Sequence, residues 1–171
     1  MAEAIVGKIA RKYMAHFLDS TFGGTTASWY RLGKYLEEYN VDMNPDTEVN
    51  KNILGNTYFN HNGYEPSADA DPFYAEVGDA LFEKLQNIID TQATDDGCKT
   101  YALEVHLWDE KSTTGTFVAY RQECYVVPTS YGGDTSGYQI PFTVNYVGDK
   151  VKGTFTAASG TTPASFEPDS L

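Results

Sequence analysis

The sequence predicts a mainly β protein with one α-helix: two packed antiparallel sheets, a β-sandwich or open barrel, with the helix on one flank. Three observations predict it. Aromatic residues make up 14% of the 171 positions, with 13 Tyr and 9 Phe, a bias towards half-buried pleated surfaces. Segments 101–109 and 117–127 read as strands, the first alternating apolar and polar residues with period two. One stretch, 71–90, repeats its apolar residues at helical spacing. A chain of this size buries about 70% of its unfolded surface, enough to fold without staples. The organisation expected is an N-terminal arm and flexible joint at 1–28, a β-sandwich domain at 29–156 with helix 72–90, and a C-terminal tail at 157–171.

The elements follow in order. Residues 1–28 carry Lys8, Arg11 and Lys12, then Gly23-Gly24 among Ser and Thr, which predicts an arm or short strand and a flexible joint. No continuous apolar core opens the chain, so no signal peptide is expected, and no run of about 18 apolar residues predicts a membrane span. Residues 29–43 are rich in β-favouring aromatics. The turn signal "NPDT" at 44–47 predicts that 36–53 folds as a hairpin, with a shifted register setting Val41 against Val49. In 71–90, Asp71 is the expected helix cap and Pro72 the first helical residue. Phe73, Tyr74, Val77, Leu81, Phe82, Leu85, Ile88 and Ile89 share one side of that helix.

Residues 101–109 place Tyr101, Leu103, Val105 and Leu107 inward and Glu104 and His106 outward, and 117–127 pairs back on them as a hairpin. In "GYQIPFTVNYVGDKVKGTFT", 137–156, Gly148-Asp149 reads as a two-residue turn between two strands. That turn puts Ile140, Phe142, Val144, Tyr146, Val151 and Phe155 on one face. Residues 157–171 have little to bury and read as a loose tail.

Chemistry is sparse. Net charge is −12, from 24 acidic and 12 basic residues, which repels a phosphate backbone and excludes a sequence-reading DNA binder. Cys98 and Cys124 lie 26 positions apart with no CxxC, so two reduced cysteines are expected. His16, His61 and His106 are scattered without metal-ligand spacing; His61 reads as a loop histidine and His106 as the polar side of a strand. Asp69 and Asp71 lack the further oxygens of a calcium loop. Ser130 and Ser136 sit in no nucleophile elbow. Trp29, Tyr131 and Tyr138 are candidates for stacking on sugars, against the plainer reading as core. The expectation is no catalytic residue, no cofactor and no metal.

Three stretches in order, "WYRLGKYLEEYNVDMNPDTEVNKNILGNT", "DPFYAEVGDALFEKLQNIID" and "QIPFTVNYVGDKVKGTFT", resemble the major tail tube proteins of long-tailed (siphovirus-type) phages and prophages, over residues 8–156. The resemblance implies a tail-tube-like fold, hexameric rings stacked into a tube, and a conduit for DNA ejection. It implies as partners the chain itself, a tape-measure protein, a tail terminator, tail-tip or baseplate proteins, and genomic DNA passing without sequence-specific binding. It implies a virion location after assembly in the host cytoplasm, with no membrane partner. On the predicted 36–53 hairpin, Glu38, Asp42 and Glu48 are the candidate lumen-facing or ring-contact acids. The alternative from another class is a monomeric carbohydrate-binding or decoration module, which requires an exposed aromatic platform or a calcium site.

Overall fold

The computed structural model describes residues 5–170; the first four positions of the expected arm, and Leu171 of the expected tail, lie outside them. As the sequence predicts, the chain is mainly β, with one α-helix and antiparallel sheets. The strands are β1 (Met14–Asp19), β2 (Trp29–Arg31), β3 (Val41–Asp42), β4 (Pro45–Lys51), β5 (Thr57–Tyr64) and β6 (Ser67–Ala70). After the helix α1 (Ala80–Thr91) come β7 (Lys99–Glu110), β8 (Thr116–Pro128), β9 (Gly132–Asp134), β10 (Gly137–Gln139), β11 (Phe142–Thr156) and β12 (Ser165–Pro168).

Eight of these strands form one ladder in the order β2-β1-β7-β8-β11-β6-β3, with β12 branching from β11. Strand β11 is the spine: β8 runs along it, β6 pairs with Phe142–Asn145, and β12 pairs with Gly153–Thr156. Both faces of the ladder carry core, because neighbouring residues point to opposite sides. Leu18, Ala102, Cys124, Val126, Phe142 and Val144 pack with Leu81 and Leu85 of α1 on one face. Ala15, Phe17, Leu103, Val105, Ala119 and Phe155 form a second cluster on the other, edged by Trp29 and Phe166. Strand β1 is the short strand offered as one alternative for residues 1–28, and two-sided burial explains why no alternation marks it. Its last five residues are all buried, so "AHFLD" shows no alternation.

The strand pair β7–β8 matches its sequence pattern, with Leu103 and Val105 buried and Glu104 and His106 half-buried. The Gly148 turn does not form. Residues 142–156 are one strand, and the three residues between Val147 and Val151 oppose the single Gln122 of β8 as a bulge. Gly148 has φ +67°, and its carbonyl accepts from Gln122 Nε2 at 2.9 Å. A local turn signal is thus absorbed because the long partner β8 binds both sides of it. The inserted residues also split the apolar face: Phe142, Val144 and Tyr146 join the α1 cluster, Phe155 the other, and Val151 is exposed.

The helix begins at Ala80, not Pro72. The Phe73 carbonyl accepts from Ile140 N and Ala75 N donates to the Tyr138 carbonyl, so 73–75 lie extended against 138–140. Asp79, not Asp71, is the cap, its Oδ1 accepting from the N–H groups of Leu81 and Phe82. Its Oδ2 also takes the Tyr30 hydroxyl at 2.7 Å, tying β2 to the helix. Leu81, Leu85 and Ile88 face the core as predicted, whereas Val77 is exposed. The tail is also more ordered than its composition implies. Strand β12 docks where Gly153 has no side chain, and a Cβ there would collide with the Glu167 carbonyl and the Phe166 ring.

Candidate functional site

Two places invite a functional reading. The first is a cleft of about 340 Å³ floored by β1, β7 and β8 and walled by Val41, Met43, Tyr64, Pro66 and the β11 bulge. His16 and Glu104 face each other across the β1–β7 pair at its base. Burial holds the His16 imidazole down at about 4, against a smaller upward pull from Glu104. At neutral pH it is an uncharged ring beside Tyr39, with centroids 4.8 Å apart. Burial pushes the Glu104 carboxyl up, but His106 Nε2 at 3.0 Å and Lys150 Nζ at 3.4 Å outweigh it, so the group sits below its ordinary range. The Tyr39 and Tyr146 hydroxyls bond each other at 2.9 Å, and burial raises both phenols. Glu104 and the two tyrosines are hydrogen-bonded to neighbouring side chains. None is poised as a base, and no serine or cysteine lines the cleft to be activated.

The second place is the β4–β5 hairpin, a two-stranded sheet of its own that stands off the ladder. Its seven-residue first strand spans about 23 Å at the usual rise per residue. At its base, Asn44 Nδ2 donates to the Glu65 carbonyl and Ser67 Oγ. Its tip is rigid: Asn52 Oδ1 accepts from Leu54 N and Asn56 N, and Gly55 turns the chain with φ +79°. One face pairs Val49 with Phe59, which are 68% and 62% exposed, and the tip presents Ile53 and Leu54. The opposite face is polar but for the exposed Tyr58, with Asn60 Nδ2 donating to Glu48. The hairpin is amphipathic, yet nothing among the described residues covers its apolar face.

The structure moves the predicted hairpin one step along the chain. Val41 pairs with Ala68 and Val49 with Phe59, so Val41 and Val49 are not partners. The physical reason is that β6, not β4, completes β3. Glu38 therefore lies on the segment before β3 beside Asn40, Asp42 on β3 opposite Ser67, and Glu48 on β4. All three are exposed, and among the described residues none forms an ion pair, but no single hairpin face unites them. His61 is on strand β5 instead of in a loop, with Nδ1 accepting from Gly63 N. Of the proposed sugar-stacking residues, Tyr131 is exposed, while Trp29 and Tyr138 pack against the two core clusters.

Sequence reasoning missed Val49, Ile53, Leu54 and Phe59 as a surface. The signal was present in the Asn-rich "NILGN" turn flanked by alternating Thr47-Val49-Lys51 and Thr57-Phe59-His61. Cys98 and Cys124 are free and buried, and burial pushes the Cys124 thiol up to about 12. Among the described residues no group of His, Cys, Asp and Glu is arranged to hold a metal ion, and no helix is long and apolar enough to cross a membrane.

No protein-family model matches the chain, and no curated protein does. Among solved structures the chain is similar to the cryo-EM structure of the anti-feeding prophage cap, the AFP tube terminating cap. The two share 14% identity over 92% of this chain and 97% of that one, with a TM-score of 0.49. At that score and identity the likeness extends no function to this chain.

Proposed function

We propose that this protein is a structural subunit of a phage-type tail, assembling with copies of itself into stacked hexameric rings that enclose a conduit for DNA. The observation that carries the reading is the β4–β5 hairpin, whose tip and apolar residues have no partner among the described residues. A monomer that kept Val49, Phe59, Ile53 and Leu54 in water would be prone to aggregate; a neighbouring subunit that covers them removes that hazard. The ordered resemblance over residues 8–156 supports the same reading, as do the unshared outer edges of β2, β3 and β12, each paired on one side among the described strands. The work is assembly, not catalysis. The tape-measure, terminator and tail-tip partners, and a place in the virion, follow from the same proposal. Glu38, Asp42 and Glu48 are exposed acids suited to a bore that repels a polyanion or to a contact between rings.

Negative-stain microscopy and sedimentation velocity test it on the wild type and on the double variant Ile53→Asp, Leu54→Asp. The wild type is expected to form rings or tubes on concentration. The variant is expected to stay monomeric with stability unchanged within about 0.5 kcal/mol, since both side chains project into solvent. A wild type that is monomeric at every concentration, or a variant that still assembles, sinks the reading.

A further inference from the structure

Arg121 lies on β8 on the same sheet face as Leu103 and Ala119, on the side away from α1. Its guanidinium carbon sits 5.0 Å from the Tyr101 ring centroid and 5.4 Å from that of Phe166, so rings from β7 and β12 clasp it. Its Nε is buried and has no hydrogen-bond partner. Among the described residues no carboxylate comes within ion-pairing distance of it. Two of the acids nearby are engaged, and Asp96 lines the same cleft without pairing with Arg121. Glu123, two residues along the same face, pairs with Lys99 at 3.1 Å. Asp19 Oδ1 accepts from Thr21 N, Thr21 Oγ1 and Ser28 N, closing its own turn. The cation opens on a cleft of about 680 Å³ between loop 22–27 and β12.

A guanidinium keeps its charge at every accessible pH and presents a rigid planar fork that matches a carboxylate. Stacked rings hold that fork in place while leaving its edge free. We infer that this cleft is a carboxylate-binding site whose ligand is an acidic side chain on an extended segment of a second copy of the chain. The inference rests on the self-assembly reading above. Charge complementarity selects the ligand: each copy carries 24 acidic residues against 12 basic ones, so a neighbour offers many acids and few other cations compete. Backbone complementarity selects its shape. Trp29 of β2 and Phe166 of β12 both line the cleft, and among the described strands each is paired on one side only, so an extended segment finds open edges to bond.

Sedimentation velocity on wild type, Arg121→Gln and Arg121→Lys tests it, with circular dichroism to confirm folding. Arg121→Gln is expected to weaken association at least about ten-fold, the loss of one buried charge-assisted contact, and Arg121→Lys to fall between. The R121K protein, mixed from isotopically light and heavy copies and treated with a carbodiimide, is expected to yield an amide joining position 121 to an acidic residue of the other copy. Association of R121Q as tight as wild type overturns the inference and leaves self-assembly standing. So does cross-linking of position 121 only within one copy, a readout that holds even if R121Q fails to fold. A monomeric wild type overturns both.

Discussion

His16 is a basic residue held neutral by its surroundings. It is on β1, buried, with its imidazole lowered from 6.5 to about 4 by burial, while Glu104 pulls the other way and Arg11, Lys150 and His106 add to the lowering. The unfolded chain takes a proton near 6.5 that the folded chain refuses until about 4. Stability is therefore whole above pH 6.5 and declines as pH falls towards 4. Between pH 7.5 and 5 the loss from this one group is about 2 kcal/mol. Urea unfolding at those two pH values is expected to show His16→Leu losing about 2 kcal/mol less than wild type over the interval. Equal losses in both proteins would refute the assignment. The interval stops at pH 5 because Glu104, held below its ordinary range, adds its own acid dependence further down. At this scale the sequence was readable in part. His106 on a strand's polar side follows from alternation, but nothing local to "MAHFLD" announces that its histidine is buried.

The elements show where local pattern suffices and where a distant partner overrides it. Strands β7 and β8 were legible because the alternation of β7 and the partnership of the two are both local. The α1 face was legible from Leu81 to Ile89, since helical spacing is local too. Its start was not, because 73–75 spend their hydrogen bonds on 138–140, sixty residues later. Gly148-Asp149 carries a genuine turn signature, overridden by the longer β8. Strand β12 was invisible because what seats it is the missing side chain of Gly153 across the branch. Gly153→Ala forces a methyl group against the Glu167 carbonyl and the Phe166 ring, which costs about 1–3 kcal/mol as overpacking. Hydrogen exchange is expected to show amides 165–167 losing protection in that variant, with a matching fall in thermal stability. Undiminished protection would mean that β12 is held by something other than this fit.

For the whole molecule, charge and apolar surface oppose each other. Copies at −12 repel, while the hairpin's Val49 and Phe59 and the tip's Ile53 and Leu54 favour contact. The range of the repulsion falls from about 30 Å at 0.01 M salt to about 10 Å at 0.1 M, whereas apolar burial is insensitive over that range. Association followed by sedimentation is therefore expected to strengthen as salt rises through this window. A steady weakening instead would mean that ion pairs, Arg121's among them, dominate the contact. The acidic candidates divide accordingly: Glu48 rides on the hairpin proposed as the contact, whereas Glu38 and Asp42 lie outside it.

The branched ladder has a mechanical corollary. Strand β11 is bonded to β8 along nearly its whole length and to β6 and β12 at its two ends. Tension applied lengthwise to it meets many bonds loaded together in shear, since no end is left from which the ladder can be peeled. A subunit wired in this way passes strain through its centre as a stiff rod does, with the β4–β5 arm off the line of load.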